Sequence, residues 1–173
     1  MLKLRRKLGL VPFIVLGVAA LSGVAAFAQR QLANGGARPD IKVTLAGTVE
    51  RSGQKLALDK VEHVRPGEIL DWQIVSANEG AGAARDYKAV GHIPAGTIFV
   101  AGSAEGEAGS VVTYSIDGGQ TFAAQPIVEE KQPDGTVKRV PAPVSMYTEV
   151  RYEWSDALAA GGKLTASYKV RVK

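Results

Sequence analysis

The chain has no cysteine, so disulfide stapling, thiol catalysis, cysteine-based zinc sites and iron–sulfur clusters are excluded at the outset. Histidine is almost as scarce. His63 and His92 are the only two, and neither stands in the H-E-x-x-H or H-x-H spacing that places two imidazoles on one metal, so both read as surface or strand-end residues. No G-x-S-x-G elbow and no P-loop occurs, and the serines stand in no motif with a base. Aromatic residues make up 6% of the chain, too few for an extended stacking surface. Excess charge of one sign is also missing once the N-terminus is set aside. Lys3, Arg5, Arg6 and Lys7 account for the whole formal charge of +4. The balance that remains gives no support for nucleic acid or an anionic membrane as partner, since both need clustered, uncompensated cations.

What is present begins with that basic start. An uncharged apolar run follows from Leu8 to Ala28 and closes on Ala26-Phe27-Ala28, the small-x-small pattern that signal peptidase accepts. Residues 1–28 are expected to be a cleaved signal peptide, with Gln29 as the mature N-terminus. The competing expectation is an uncleaved anchor, because the run is long enough to span a bilayer. The protein is expected to be exported to the periplasm, the cell surface or the medium. Residues 29–39, rich in Gly, Ala, Asn and Gln, read as a flexible lead-in, and 40–173 as one domain large enough to bury its own core.

That domain reads as strands throughout. Ile41, Val43 and Leu45 alternate with Lys42 and Thr44, the period of a half-buried strand, and Lys55 to Val61 is a weaker strand after Ser52-Gly53. From Val64 to Val100, Pro66-Gly67 and Pro94-Ala95-Gly96 are turn chemistry and bracket an expected strand pair. Parity puts Leu70, Trp72 and Ile74 on one face and Asp71 and Gln73 on the other, so Trp72 reads as core. Asp117-Gly118-Gly119 marks a hairpin from Val111 to Phe122, and Pro133-Asp134-Gly135 marks a second between Ile127-Val128 and Val137 to Val140. Val150, Tyr152 and Trp154 share a face, as do Leu164, Ala166, Tyr168, Val170 and Val172. Joined as a hairpin, these last strands would set Glu149 opposite Lys169 and Val150 opposite Tyr168. A single helical turn is allowed at Asp156 to Ala160. The fold class expected is all-β, an Ig-like antiparallel β-sandwich of about seven to nine strands, with a barrel as second choice.

Pro66-Gly67-Glu68, Asn78-Glu79-Gly80 and Pro94-Ala95-Gly96-Thr97 occur in the order seen in the conserved-repeat family of bacterial envelope and secreted proteins known as domain of unknown function 11, which this stretch resembles. The resemblance covers roughly Val64 to Val100 and implies an Ig-like fold in an exported protein. Family members usually carry an acid about three positions before the second proline, where this chain has Gly91, so no role of that carboxylate transfers here.

The chemistry-bearing patterns are sparse. Ser115-x-Asp117-x-Gly119-x-Thr121-Phe122 is similar to the Asp-box of sialidase-like propellers, but one copy cannot build a propeller. Asp117 is therefore expected to hold its own turn. Glu105 with Glu107, and Glu129 with Glu130, are the tight acidic pairs. A weak calcium site at Glu105 and Glu107 is the functional alternative to simple solvation, without a D-x-D-x-D-G spacing behind it. Tyr147 and Tyr87 are the outward aromatic candidates. No catalytic, cofactor-binding or metal-binding residue is expected, and no cofactor. The function expected is a non-enzymatic structural or interaction module of the cell envelope or secreted space, with other envelope or surface proteins or polysaccharide as partners. An adhesin-type carbohydrate- or protein-binding module is the alternative. The membrane enters only through the N-terminal segment if it stays uncleaved.

Overall fold

Among the described residues eleven strands alternate with tight turns, and their helical content is two single 3-10 turns, Leu58–Lys60 and Val144–Met146. The computed structural model describes residues 36–107 and 109–173. The expected signal peptide, residues 1–28, and most of the lead-in therefore lie outside the described residues. Arg38–Lys173 form one compact unit. In chain order the strands are β1 (Ile41–Arg51), β2 (Gln54–Ala57), β3 (Ile69–Asn78), β4 (Lys88–His92), β5 (Thr97–Phe99), β6 (Glu105–Gly106), β7 (Ser110–Ser115), β8 (Ile127–Lys131), β9 (Val137–Pro141), β10 (Glu149–Trp154) and β11 (Lys163–Val172).

All pairings are antiparallel. One sheet runs β2-β1-β3-β11-β5 with β6 also on β11, a second runs β4-β10-β7, and β8 and β9 form a hairpin of their own. The fold is an all-β sandwich. The strand count exceeds the expected range because β5 and β6 are only three and two residues long.

The turns form where their residues demand. In Arg65-Pro66-Gly67-Glu68, Glu68 N–H donates to Arg65 O at 3.1 Å and Gly67 takes φ 87°, the glycine-requiring position of a type II turn. Pro94-Ala95-Gly96-Thr97 repeats the arrangement, with Thr97 N–H on Pro94 O at 3.1 Å. Asp134 accepts from Thr136 N–H at 2.9 Å and closes the β8–β9 hairpin.

The core lies between the two larger sheets. Val49, Leu70, Ile74, Phe99, Ala166, Tyr168 and Val170 from the first meet Ala89, Val150, Tyr152 and Trp154 from the second. Each side also sends a buried hydroxyl across. Tyr152 donates to Ser167 O at 2.6 Å, and Tyr168 donates to His92 O at 2.6 Å. Burial pushes both phenols well above their ordinary pKa, so they remain neutral donors.

Several sequence expectations are corrected. β10 and β11 are not a hairpin. Val150 faces Gly91 and Tyr114, whereas Tyr168 faces Trp72. The connection crosses between sheets because Leu158 is buried and its backbone exchanges hydrogen bonds of 2.8 and 2.9 Å with Ala84. That bridge replaces the expected helical turn. β3 and β4 likewise belong to different sheets, so the two proline turns bracket a crossover and not a strand pair. The return from Asp117 makes only a bridge, Ala123 to Tyr114, because β7 takes its ladder from β10.

In β1 the alternation holds but the burial does not. Val43 and Leu45 lie opposite Ser76 and Ile74 on the inner face, yet are 55% and 52% exposed where Ser76 and Ile74 are buried, so the cover stops at β3 and leaves this part of the β1 edge open. The last residues of the expected lead-in reach the domain. Gly82 N–H donates to Arg38 O at 3.1 Å.

Candidate functional site

The motif residues are brought into hydrogen-bond sets that hold turns and join chain segments. Asn78 is the densest. Its side-chain oxygen accepts from Asp40 N–H and Gly80 N–H, both at 3.1 Å, and its amide donates to Gly82 O at 2.7 Å, Leu158 O at 3.0 Å and Ala159 O at 3.2 Å. One buried side chain thus ties the entry of the domain, the loop after β3 and the crossover before β11. Gly80 completes the set, because a Cβ there would collide with the backbone of Arg38 and Asp40. The Asn-x-Gly spacing is a joint between three chain segments.

Glu68 follows the same logic. Arg51 holds it in a fork, Nε to Oε1 at 2.7 Å and Nη2 to Oε2 at 2.9 Å, while Arg65 N–H adds a bond of 2.8 Å. The Arg51 hydrogen bonds first, and the Arg65 N–H second, hold the Glu68 carboxyl at about 2. Arg51 also reaches His63 O at 2.7 Å, which pins the loop ahead of the turn.

Asp117 closes the Asp-box-like turn as expected. Its Oδ1 accepts from Gln120 N–H at 3.0 Å, Thr121 N–H at 2.9 Å and Ser115 Oγ at 2.7 Å, and Oδ2 accepts from Thr121 Oγ1 at 2.6 Å. The Thr121 hydroxyl is the largest cause, followed by the Thr121 amide, holding the carboxyl at about 2. The turn then lays Phe122 against the outer face of β10, where the Arg151 guanidinium sits 4.1 Å from its ring centre.

The other sequence candidates are not brought together. His63 is exposed beside Glu62 at 3.5 Å, and His92 pairs with Glu149 across strands at 3.1 Å. Glu105 lies in β6 opposite Ser167 of β11, and Glu107 follows it, its N–H donating to Thr165 O at 3.1 Å. Glu129 and Glu130 lie opposite Arg139 and Lys138 in the outer hairpin. Among the described residues no three His, Asp or Glu side chains are grouped to hold a metal ion. Tyr147 and Tyr87 are not outward platforms. Tyr147 packs on Phe99 and Tyr114 at 5.8 and 4.9 Å between ring centres, and Tyr87 donates to Ser76 Oγ at 2.8 Å.

One concave region went unforeseen, an open groove of about 440 Å³ lined by Asp86, Tyr87, Lys88, Val111, Glu153 and Trp154, with Ser155 at its end. Tyr87 and Trp154 stack in it at 5.9 Å and 22°. Nothing in the spacing announces it, because Tyr87 and Trp154 meet only through the pairing of β4 with β10. Glu153 is bound by Lys88 at 2.9 Å and by Arg151 at 2.5 Å. These cations, Lys88 first, hold its carboxyl below the ordinary range, the opposite of what a general acid needs. Trp154 is only 5% exposed, so its ring face is not presented to a ligand.

Compared with protein-family models, with curated proteins and with solved structures, the chain finds no match.

Proposed function

We propose that the protein is a non-enzymatic structural or interaction module of the bacterial envelope or secreted space. One observation carries this reading: the polar side chains that the sequence motifs single out, Glu68, Asn78 and Asp117, are engaged by bonds that hold the fold together, Asp117 within its own turn, Glu68 by Arg51 and its own turn, and Asn78 across three chain segments. A side chain holding a loop in this way is not free to meet a substrate. Among the described residues the molecule offers outward strand edge, a charged hairpin and shallow grooves, that beside Tyr87 among them. Kinship with the conserved-repeat family rests on the same turn residues, and export rests on residues 1–28.

Affinity capture from envelope extracts, with a C-terminal tag followed through cell fractions, tests the proposal. A specific envelope or surface component recovered with the exported chain supports it. Retention of the tagged chain in the cytoplasm contradicts export, and turnover of any substrate class contradicts the non-enzymatic reading.

The groove between Tyr87, Lys88 and Glu153 favours a second reading, a carbohydrate- or protein-binding module. A glycan array separates the two. Binding abolished by Lys88→Ala would favour the second.

A further inference from the structure

Hydrogen-bond alternation leaves one stretch of backbone open on β1. Glu79 N–H donates to Asp40 O at 2.8 Å, and along an antiparallel ladder the bonded pairs recur every second residue. Asp40, Lys42, Thr44 and Ala46 therefore bond to β3, and the N–H and C=O groups of Ile41, Val43 and Leu45 point away from it. β2 takes up this edge only from Thr48 onward. Among the described residues, nothing pairs with the stretch before it.

The side chains of the same residues lie on the inner face, where Val43 and Leu45 are more than half exposed. Open backbone and uncovered apolar side chains thus coincide.

The remaining edges carry the usual protections against strand addition, which are shortness, charge or cover. β2, β5 and β6 are four, three and two residues long. β4 presents Lys88 and His92, the outer hairpin is studded with Glu129, Glu130, Lys131, Lys138 and Arg139, and β7 is met by Ala123. Ile41 to Gly47 has no proline, and its single charge, Lys42, reaches along the outer face towards Glu79 at 3.8 Å.

We infer that this edge pairs with β1 of a second copy, antiparallel and about a two-fold axis, to join two sandwiches through one continuous sheet. The stretch is self-complementary. With the axis at Val43, Ile41 lies opposite Leu45 of the second copy and Val43 lies opposite itself, so outward backbone groups meet outward backbone groups. Every inner-face pair is apolar. Lys42 falls opposite Thr44, so no like charges meet. β2 does not obstruct this register, because the residue opposite Thr48 is Arg38, beyond the paired stretch. A closed two-fold contact of this kind makes a dimer and not a fibre. The inference does not depend on the export reading or on any further partner.

Sedimentation equilibrium of the full chain, with hydrogen exchange at the amides of Ile41, Val43 and Leu45, tests it. The expected result is a monomer–dimer equilibrium in which those amides gain protection as concentration rises. Leu45→Lys, at a position more than half exposed, is expected to leave the monomer folded and to weaken the dimer by more than about tenfold, whereas Val90→Lys on β4 is expected to leave it unchanged. Since the chain has no cysteine, Val43→Cys supplies a lone thiol expected to cross-link to its own copy under mild oxidation. A wild type that stays monomeric at all concentrations overturns the inference. So does a dimer indifferent to Leu45→Lys, or protection of the edge amides that arises only with a different protein.

Discussion

The Tyr168 ring occupies the space that a side chain at Gly91 would need, so the two residues fit only as a pair. Gly91 lies in β4 and Tyr168 in β11, on opposite sheets, and a Cβ at Gly91 would collide with the tyrosine ring. Gly91→Ala is expected to destabilise the fold by about 1–3 kcal/mol through overpacking, measured by urea unfolding, and Gly91→Asp by more because it also buries a charge. A neutral Gly91→Ala would mean that the sheets are not packed this closely.

The same ring anchors a second expectation. Tyr168→Phe removes the bond to His92 O and Tyr152→Phe removes the bond to Ser167 O, each keeping the packing. Each substitution is expected to cost about 1 kcal/mol in a denaturant titration, the net worth of one buried hydrogen bond.

Asn78 should be far less tolerant. Asn78→Ala strips the side-chain partner from the amides of Asp40 and Gly80 and from the carbonyl of Gly82, while Leu158 O and Ala159 O keep the backbone N–H groups of Ala84 and Gly162. A loss of about 2–3 kcal/mol is expected from the groups left unsatisfied. Hydrogen exchange should show faster opening at Asp40, Gly80 and the Ser155–Gly162 crossover together, because one side chain joins them.

These relationships mark the limit of what was legible in the sequence. Alternation shows which face a residue takes, and it does so correctly for Leu70 and Ile74, for Val150, Tyr152 and Trp154, and for Ala166, Tyr168 and Val170. It does not show which strand lies alongside. The register of β10 against β11 failed because a connection of this length either turns back or crosses over. Leu158, bridged to Ala84 and held by Asn78, decides for crossing. Val43 and Leu45 show the complementary failure, since apolar alternation marks a face but not whether another layer covers it. Turn chemistry at Pro66-Gly67, Pro94 to Thr97 and Asp117 was readable because those residues act within four positions of themselves. The Tyr87–Trp154 groove depends on strands far apart in the chain and left no local trace.

Acid should expose the two clamped carboxyls. Glu68 and Asp117 are both held at about 2 in the fold, below the value near 4 of an unfolded chain. A carboxyl depressed in this way stabilises the fold fully above its unfolded pKa and ceases to as pH falls through its folded pKa. Both contributions are therefore intact at neutral pH and are expected to disappear between about pH 4 and pH 2. Glu68→Gln should lower the neutral-pH melting temperature and make its fall over that window shallower. An unchanged slope would show that Glu68 is not clamped by Arg51.

The reading that motif residues serve the fold is tested most directly at Asp117, by the melting temperatures of the wild type and of Asp117→Ala, each with and without a chelator. If the carboxylate holds only Ser115, Gln120 and Thr121, the substitution lowers the melting temperature, the chelator changes neither protein, and the variant keeps any binding the wild type shows. A chelator that brings the wild type down to the variant's melting temperature, or a variant that keeps its melting temperature and loses binding, would place Asp117 in a site and contradict that reading.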